Sequence, residues 1–261
     1  MKQTYVKYLM VVALTGGFLF TSCRTARENT VQYEVTKVEG GMITIDSVWD
    51  TTPDVKATEI LKPYKEKVDA MMYEVIGTSA MKMDKGGPES LLSNLVAGVL
   101  QQAAVQVLGK PADMGLVNMG GLRNILPEGD ITVGDIFEIL PFENSLCVLT
   151  MKGTDLRHLF EAIASLHGEG VSGARLEITK DGKLLNAFIA GKPLKDDQLY
   201  TVATIDYLAD GNGQMDAFLQ AEKRVCPENA TLRGLFLDYV RKQTAEGKVI
   251  TSKLDGRITI K

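Results

Sequence analysis

Histidine is nearly absent from this chain: His158 and His167 are the 2 among 261 residues. Neither belongs to a cluster with metal-ligand spacing. His158 lies beside Arg157 on an amphipathic stretch, and His167 ends it, where a histidine serves as a solvated partner of the helix dipole. The spacings HxH, HExxH and CxxC do not occur, and neither does the phosphate loop GxxxxGK[ST]. The residues therefore offer no dedicated transition-metal site, and no cofactor is expected in this chain. No nucleophile with a paired base can be argued from spacing. The carboxylates of GDITVGDIFE fall at turn and cap positions, which suits N-caps better than an acid–base pair. Basic excess is lacking too: 29 Lys and Arg stand against 33 Asp and Glu, for a net charge of -4. With no basic stripe interleaved with aromatics, a nucleic-acid partner is not expected. Internal repeats and low-complexity segments are also missing. With 45% hydrophobic residues, the chain can bury the core of one sizeable domain or two small ones.

The most apolar run is short. It extends from about Tyr8 to Phe20, broken by Gly16 and Gly17, behind Lys2 and Lys7 and ahead of Thr21, Ser22 and Cys23. Too short for a stable span, it has the charged start, apolar centre and small-residue end of a signal peptide. The cysteine directly after Thr21-Ser22 resembles a bacterial lipobox, which implies cleavage before Cys23 and lipidation there. The alternative is an ordinary signal peptide with an incidental cysteine. On the lipoprotein reading, residues 1–22 are removed and residues 23–30 form a tether. The protein is then exported to the cell envelope, periplasmic or outer-membrane associated. It would meet the membrane only through acyl chains worth about 0.8 kcal/mol per buried CH2. The two other cysteines, Cys147 in SLCVLTM and Cys226 before a proline, could pair in an exported protein; two free thiols, one of them buried, are the expectation.

Residues 31–48 alternate polar and apolar around Gly40-Gly41, a hairpin signal. A helix should follow. Pro53 suits its first turn, Ile60, Tyr64, Val68, Met71, Met72 and Val75 recur at helical spacing, and Pro63 should bend or divide it. Residues 31–64 are thus expected to be a hairpin and linker helix, and 65–261 a separate domain. That domain should open with an apolar helix of about six turns, GPESLLSNLVAGVLQQAAVQVLG. ADMGLVNMGG reads as a buried strand and turn, and LPEGDITVGDIFEIL as a short helix opened by Thr132 or Asp135. A strand over about Leu146–Met151 precedes an amphipathic helix with Leu156, Leu159, Phe160 and Ile163 on one face. Strands with turns at Asp181-Gly182 and Gly191-Lys192 come next, then a helix, ATLRGLFLDYVRKQ, and the strand GRITI. Strands and helices mix without strict alternation. The expected class is α/β (α+β): a mixed-sheet sandwich flanked by helices.

Three polar loops follow the apolar segments: NMGGLR (118–123), LPFEN (140–144) and DYLADGNGQM (206–215). They can be three unrelated turns with core aromatics. They can also make a nucleoside pocket, in which aromatic faces clamp a base, asparagine amides read its edge and an arginine holds an anionic oxygen.

The order GGLR, LPFEN, GVSG, YTVATIDYLADG, preceded by ESLLSNLVAGVL, resembles the C-terminal domain of the 5'-nucleotidases over roughly residues 65–261. The resemblance implies that Phe142 and Tyr207 stack on a base and that Asn144 faces its edge. It also implies that Arg123 reaches the ribose or phosphate side, and that Asn118, Gly121 and Gly173 shape the pocket. Three positions depart from the family pattern. Pro88 replaces an arginine, Gly98 replaces the helix aspartate, and Gly213 replaces the ribose-binding aspartate, for which Asp210 or Asp216 could substitute. In the family a separate metallophosphatase domain with two metal ions performs the hydrolysis, and about 40 residues between Cys23 and residue 65 leave no room for it. The resemblance thus implies a nucleotide- or nucleoside-binding specificity half. It would work with a separately encoded metallophosphatase lipoprotein that holds the divalent metals, and would not hydrolyse phosphate esters alone. The alternatives are a non-catalytic nucleotide- or nucleoside-binding lipoprotein and a structural module with a decayed site.

Overall fold

The computed structural model describes residues 34–48 and 54–261. The signal-peptide, lipidation and tether expectations for residues 1–30, and the place of Pro53, lie outside the described residues. Residues 34–48 form no strand, and each is exposed. The hairpin expected around Gly40-Gly41 is therefore not formed there. A lone two-stranded ribbon has no third strand or helix on which to bury its apolar face, so alternation by itself does not stabilise it.

Asp54–Lys261 make one compact unit. It opens with α1 (Val55–Met72), capped by the Asp54 carboxylate, which accepts from the Ala57 N–H at 3.0 Å. The helix runs through Pro63 without being divided there, and it crosses the anticipated domain boundary at 64/65. None of its residues is buried. Tyr64 and Val68, though at core-like spacing, stay 68% and 50% exposed, so the amphipathic pattern here marks a helix without marking a core.

The remaining elements follow in chain order. They are β1 (Val75–Ser79), α2 (Leu91–Ala103), α3 (Val105–Leu108), β2 (Met114–Val117), β3 (Gly129–Thr132), α4 (Val133–Ile139), β4 (Leu146–Lys152), α5 (Gly153–Ser165), β5 (Gly170–Ser172), β6 (Ala174–Ile178), β7 (Leu184–Ile189), β8 (Lys192–Pro193), β9 (Leu199–Ile205), α6 (Asp206–Ala209), β10 (Lys223–Val225), α7 (Leu232–Ala245) and β11 (Ile258–Ile260). The central sheet has the order β10-β4-β9-β2-β5, with β2 and β9 parallel and the other pairs antiparallel. A second sheet, β11-β6-β7-β8, pairs β11 parallel to β6, and β1 pairs with β3. The class is the expected mixed α/β.

Local chemistry explains the boundaries. The Glu89-Ser90 pair starts α2. Ser90 accepts from the Ser93 N–H at 3.3 Å, and the Glu89 carboxylate is cradled by the N–H groups of Asp255, Gly256 and Arg257 at 2.9, 3.1 and 3.0 Å and by the Asn94 amide at 2.6 Å. The helix signature thereby fastens the C-terminal strand to the core. Thr132 and Asp135 form a capping box that opens α4. Leu156, Leu159, Phe160 and Ile163 are all fully buried on α5, as their spacing predicts. α2 lies so close to β2 that a Cβ on Gly115 would stand 2.2 Å from the Ala97 carbonyl oxygen.

The two free thiols expected at 147 and 226 are instead a disulfide. β10 pairs with β4 with Val225 opposite Val148, so the next residue, Cys226, falls beside Cys147, with their Cα atoms 4.2 Å apart. Three residues of edge strand are too short a pattern to have shown this pairing in the sequence.

Candidate functional site

The sheet topology gathers the three polar loops. β2 and β9 run parallel, so both end at the same edge, and β4 runs antiparallel to β9 with Leu146 opposite Ile205, so β4 begins there. Asn118 follows β2, Phe142 and Asn144 precede β4, and Tyr207 follows β9. The carboxyl ends of parallel strands are where open α/β sheets leave a crevice. Here the crevice is a cavity of about 360 Å³ lined by Asn118, Gly120, Gly121, Arg123, Phe142, Asn144 and Tyr207.

Each side chain is held by a traceable set of contacts. After β2 the chain makes a 3-10 turn, Met119–Gly121, with the Gly121 N–H donating to Asn118 O at 3.0 Å and the Leu122 N–H to Met119 O at 3.1 Å. Neither glycine of the turn has a positive φ. Close approach is what position 121 requires: an added Cβ would lie 3.1 Å from Asn118 Oδ1. The Arg123 N–H donates to Ile139 O at 2.9 Å, and its guanidinium turns back, with Nη1 donating to Gly120 O at 3.2 Å and Cζ 5.9 Å from the Phe142 ring centroid. Arg233 of α7 fixes the LPFEN loop. It lies 4.2 Å over the Phe137 ring, donates to the carbonyls of Leu140 and Pro141 at 3.1 and 3.2 Å, and pairs with Glu143.

Asp206 joins two of the loops. Its Oδ1 accepts from Asn144 Nδ2 at 3.1 Å and from the Tyr207 N–H at 2.8 Å. A carboxylate only accepts, so it fixes which end of the Asn144 amide faces away and leaves Asn144 Oδ1 as an acceptor for another group. Phe142 and Tyr207 are 49% and 43% exposed, large rings left at the surface on one cavity. Asn118 Oδ1 is the one buried side-chain oxygen or nitrogen among the described residues without a hydrogen-bond partner.

Gly173 is not part of this cavity. It joins β5 to β6 at φ 75°, where a Cβ would stand 2.2 Å from the Asp113 carbonyl oxygen, and it lines a separate cavity of about 300 Å³ with Arg175, Asp255 and Arg257. Its glycine serves backbone geometry. Pro88 and Gly98 also lie away, in cavities of about 430 and 400 Å³. Gly213 stands nearer, its would-be Cβ 3.7 Å from the Tyr207 ring. Asp210 does not stand in for the missing aspartate: its Oδ1 is taken by Arg224 at 2.6 Å, and neither it nor Asp216 lines the cavity. Sequence reading missed Asp206, Arg233 and Glu169. The Glu169 carboxylate accepts from the Met119 N–H, and burial pushes its pKa up while that hydrogen bond pulls it down. Nothing in the spacing marks these supports, which come from distant elements.

The structure is a mixed α/β unit with exposed aromatics, an arginine and amides around a crevice at the strand ends. More narrowly, the chain belongs to the 5'-nucleotidase C-terminal domain family, whose pattern matches residues 70–220. It is 34% identical over 169 residues to endonuclease YhcR of Bacillus subtilis, covering 62% of this chain and 13% of that protein. It is 27% identical over 237 residues to cell wall protein Lmo0130 of Listeria monocytogenes, covering 79% of this chain and 29% of that one. A solved 5'-nucleotidase precursor from Thermus thermophilus superposes with a TM-score of 0.67 at 27% identity, over 79% of this chain and 43% of that chain. The chain thus spans less than half the length of each of these relatives.

Proposed function

We propose that this protein binds a nucleotide or nucleoside as the specificity half of a 5'-nucleotidase-like system, with phosphate-ester hydrolysis supplied by a separately encoded metallophosphatase. The observation that carries the reading is the convergence of Asn118, Arg123, Phe142, Asn144 and Tyr207 on one cavity. Two aromatic faces suit a base, Asn144 Oδ1 suits a donor on the base edge, and Arg123 suits the ribose or phosphate oxygens. Membership in the 5'-nucleotidase C-terminal domain family supports the same ligand class. Divalent metals belong, on this reading, to the partner. Calorimetry with AMP, adenosine and UDP-glucose tests it: heat is expected for at least one, and no heat for any of them sinks it. Mixing with the partner tests the split system, since activity should appear or rise only when both chains are present.

The N-terminal pattern supports an exported lipoprotein, lipidated at Cys23 and held at the cell envelope. A listerial relative described as a cell wall protein fits that location. Labelled palmitate should enter the wild type and not Cys23→Ala; equal labelling of both removes the anchor from the proposal.

A further inference from the structure

We infer that Glu169 is a positioning residue of this site: it caps the Met119–Gly121 turn in place of Asn118, and so frees the Asn118 side chain to face a ligand. The inference rests on the nucleotide-binding reading for its ligand, but its geometry stands apart from it.

Asn118 is the N-cap of the turn, and an asparagine there ordinarily uses its own side-chain oxygen to accept from the turn's first N–H groups. Here the side chain makes no such bond. The antiparallel pairing of β2 with β5 sets Val117 opposite Gly170, so the residues just beyond each strand, Asn118 and Glu169, also face each other. From that position the Glu169 carboxylate takes the Met119 N–H. The other end of the turn is fixed by Lys85, whose ammonium donates to Leu122 O, and by the Arg123 N–H on Ile139 O. With its backbone held from both sides, the turn does not need the Asn118 amide. Its Oδ1 is left buried and unpaired on the ligand cavity, with Gly121 packed against it. A buried acceptor kept free at a cost in stability is a group reserved for a donor that arrives with the ligand.

Glu169 also opens onto a second cavity, of about 430 Å³, behind the turn. His167, which lines that cavity, does not pair with it, and neither do Lys85 and Arg123 at the turn. His167, at the end of α5, has its ring nitrogens 3.2 and 3.3 Å from the Ser165 and Lys180 carbonyls. Lys85 is committed to Leu122 O, and Arg123 turns to Gly120 O on the far side of the turn. β11 brings Ile260 to this cavity, and the neighbouring Lys261 pairs with Glu177. Partial burial therefore acts on Glu169 without a compensating cation and raises its pKa. Its charge, and with it the charge-assisted bond to Met119, is lost as pH falls through that raised value, so ligand affinity should fall on acidification. The fold itself behaves in the opposite sense. A carboxyl with a raised folded pKa holds its proton better folded than unfolded, so its contribution to stability is lost as pH rises through that window. Removing the charge should then spare stability at neutral pH while weakening the site.

Amide hydrogen exchange over residues 118–123, with AMP calorimetry and thermal melts of the intact protein from about pH 5 to 8, separates these effects. Glu169→Ala should strip protection from Met119. Glu169→Gln, which keeps an accepting oxygen, should bind AMP about fivefold more weakly at neutral pH, the margin between a charge-assisted and a neutral hydrogen bond. It should also flatten the pH dependence of binding and leave the melting temperature at neutral pH no lower than wild type. If Glu169→Ala does not fold, the Gln variant decides. Unchanged Met119 protection overturns the inference, as does a fall in melting temperature parallel to the loss of affinity. If the wild type takes up none of AMP, adenosine and UDP-glucose, the nucleotide reading fails, and Met119 exchange still decides whether Glu169 holds the turn.

Discussion

Phe142→Ala and Tyr207→Ala are each expected to weaken AMP or adenosine binding by roughly 5- to 150-fold, the factor that corresponds to losing one base–aromatic stack. Both rings are close to half exposed, so little core packing goes with them, and thermal stability should shift by less than about 0.5 kcal/mol. Phe142→Ala should be the more damaging. The Arg123 guanidinium lies 5.9 Å from the Phe142 ring centroid, so removing that ring also frees the side chain assigned to the sugar or phosphate. The double variant should bind less than either single one, without strict additivity, because the two faces grip one ligand. Calorimetry on the three variants, with melting curves to confirm folding, gives the answer. Wild-type affinity in both single variants would remove the sandwich and leave the cavity to a different ligand.

Much of this site was legible in the sequence because each of its contact groups sits in a short loop directly after or before a strand. Asn118, Gly121, Arg123, Phe142, Asn144 and Tyr207 all line one cavity, where the loops could also have been three unrelated turns. Gly173 does not, although it lies in a glycine-containing loop of the same kind. Its φ of 75° and the nearby Asp113 carbonyl show that glycine is used there for the chain's own path. Supports were the invisible part. Asp206 meets Asn144 across 62 positions, Arg233 reaches the LPFEN loop from α7, and Glu169 meets Met119 across 50. Such ties depend on which strands pair, and local pattern is silent about pairing. The same gap explains the errors in the fold. Residues 34–48 alternate as a strand should, and α1 has helical apolar spacing, yet both stay exposed because periodicity describes a face without supplying a surface to cover it.

The disulfide between Cys147 and Cys226 makes the largest stability prediction. The cysteines are 79 positions apart, and closing a loop of that length restricts the unfolded chain by about 4–5 kcal/mol on the chain-entropy account. Cys147→Ala/Cys226→Ala, or the reduced wild type, should therefore melt roughly 10–15 °C lower. The bond also reaches the candidate site. Arg224, two residues before Cys226, has Nε 3.2 Å from Cys226 Sγ and Nη2 3.6 Å from Cys147 Sγ, while its Nη1 pairs with Asp210 at 2.6 Å and donates to Ala209 O at 3.3 Å. Asp210 and Ala209 close the short helix that carries Tyr207. Opening the disulfide should loosen β10, then Arg224, then the Tyr207 loop. AMP affinity should fall, though by less than in Tyr207→Ala, because the ring and the Asp206 tie remain. Scanning calorimetry with and without reductant measures the first effect, and titration of the double variant measures the second. A melting temperature indifferent to reductant would show that the two thiols are unpaired in the folded protein. It would also remove a support for export, since structural disulfides persist in oxidising compartments.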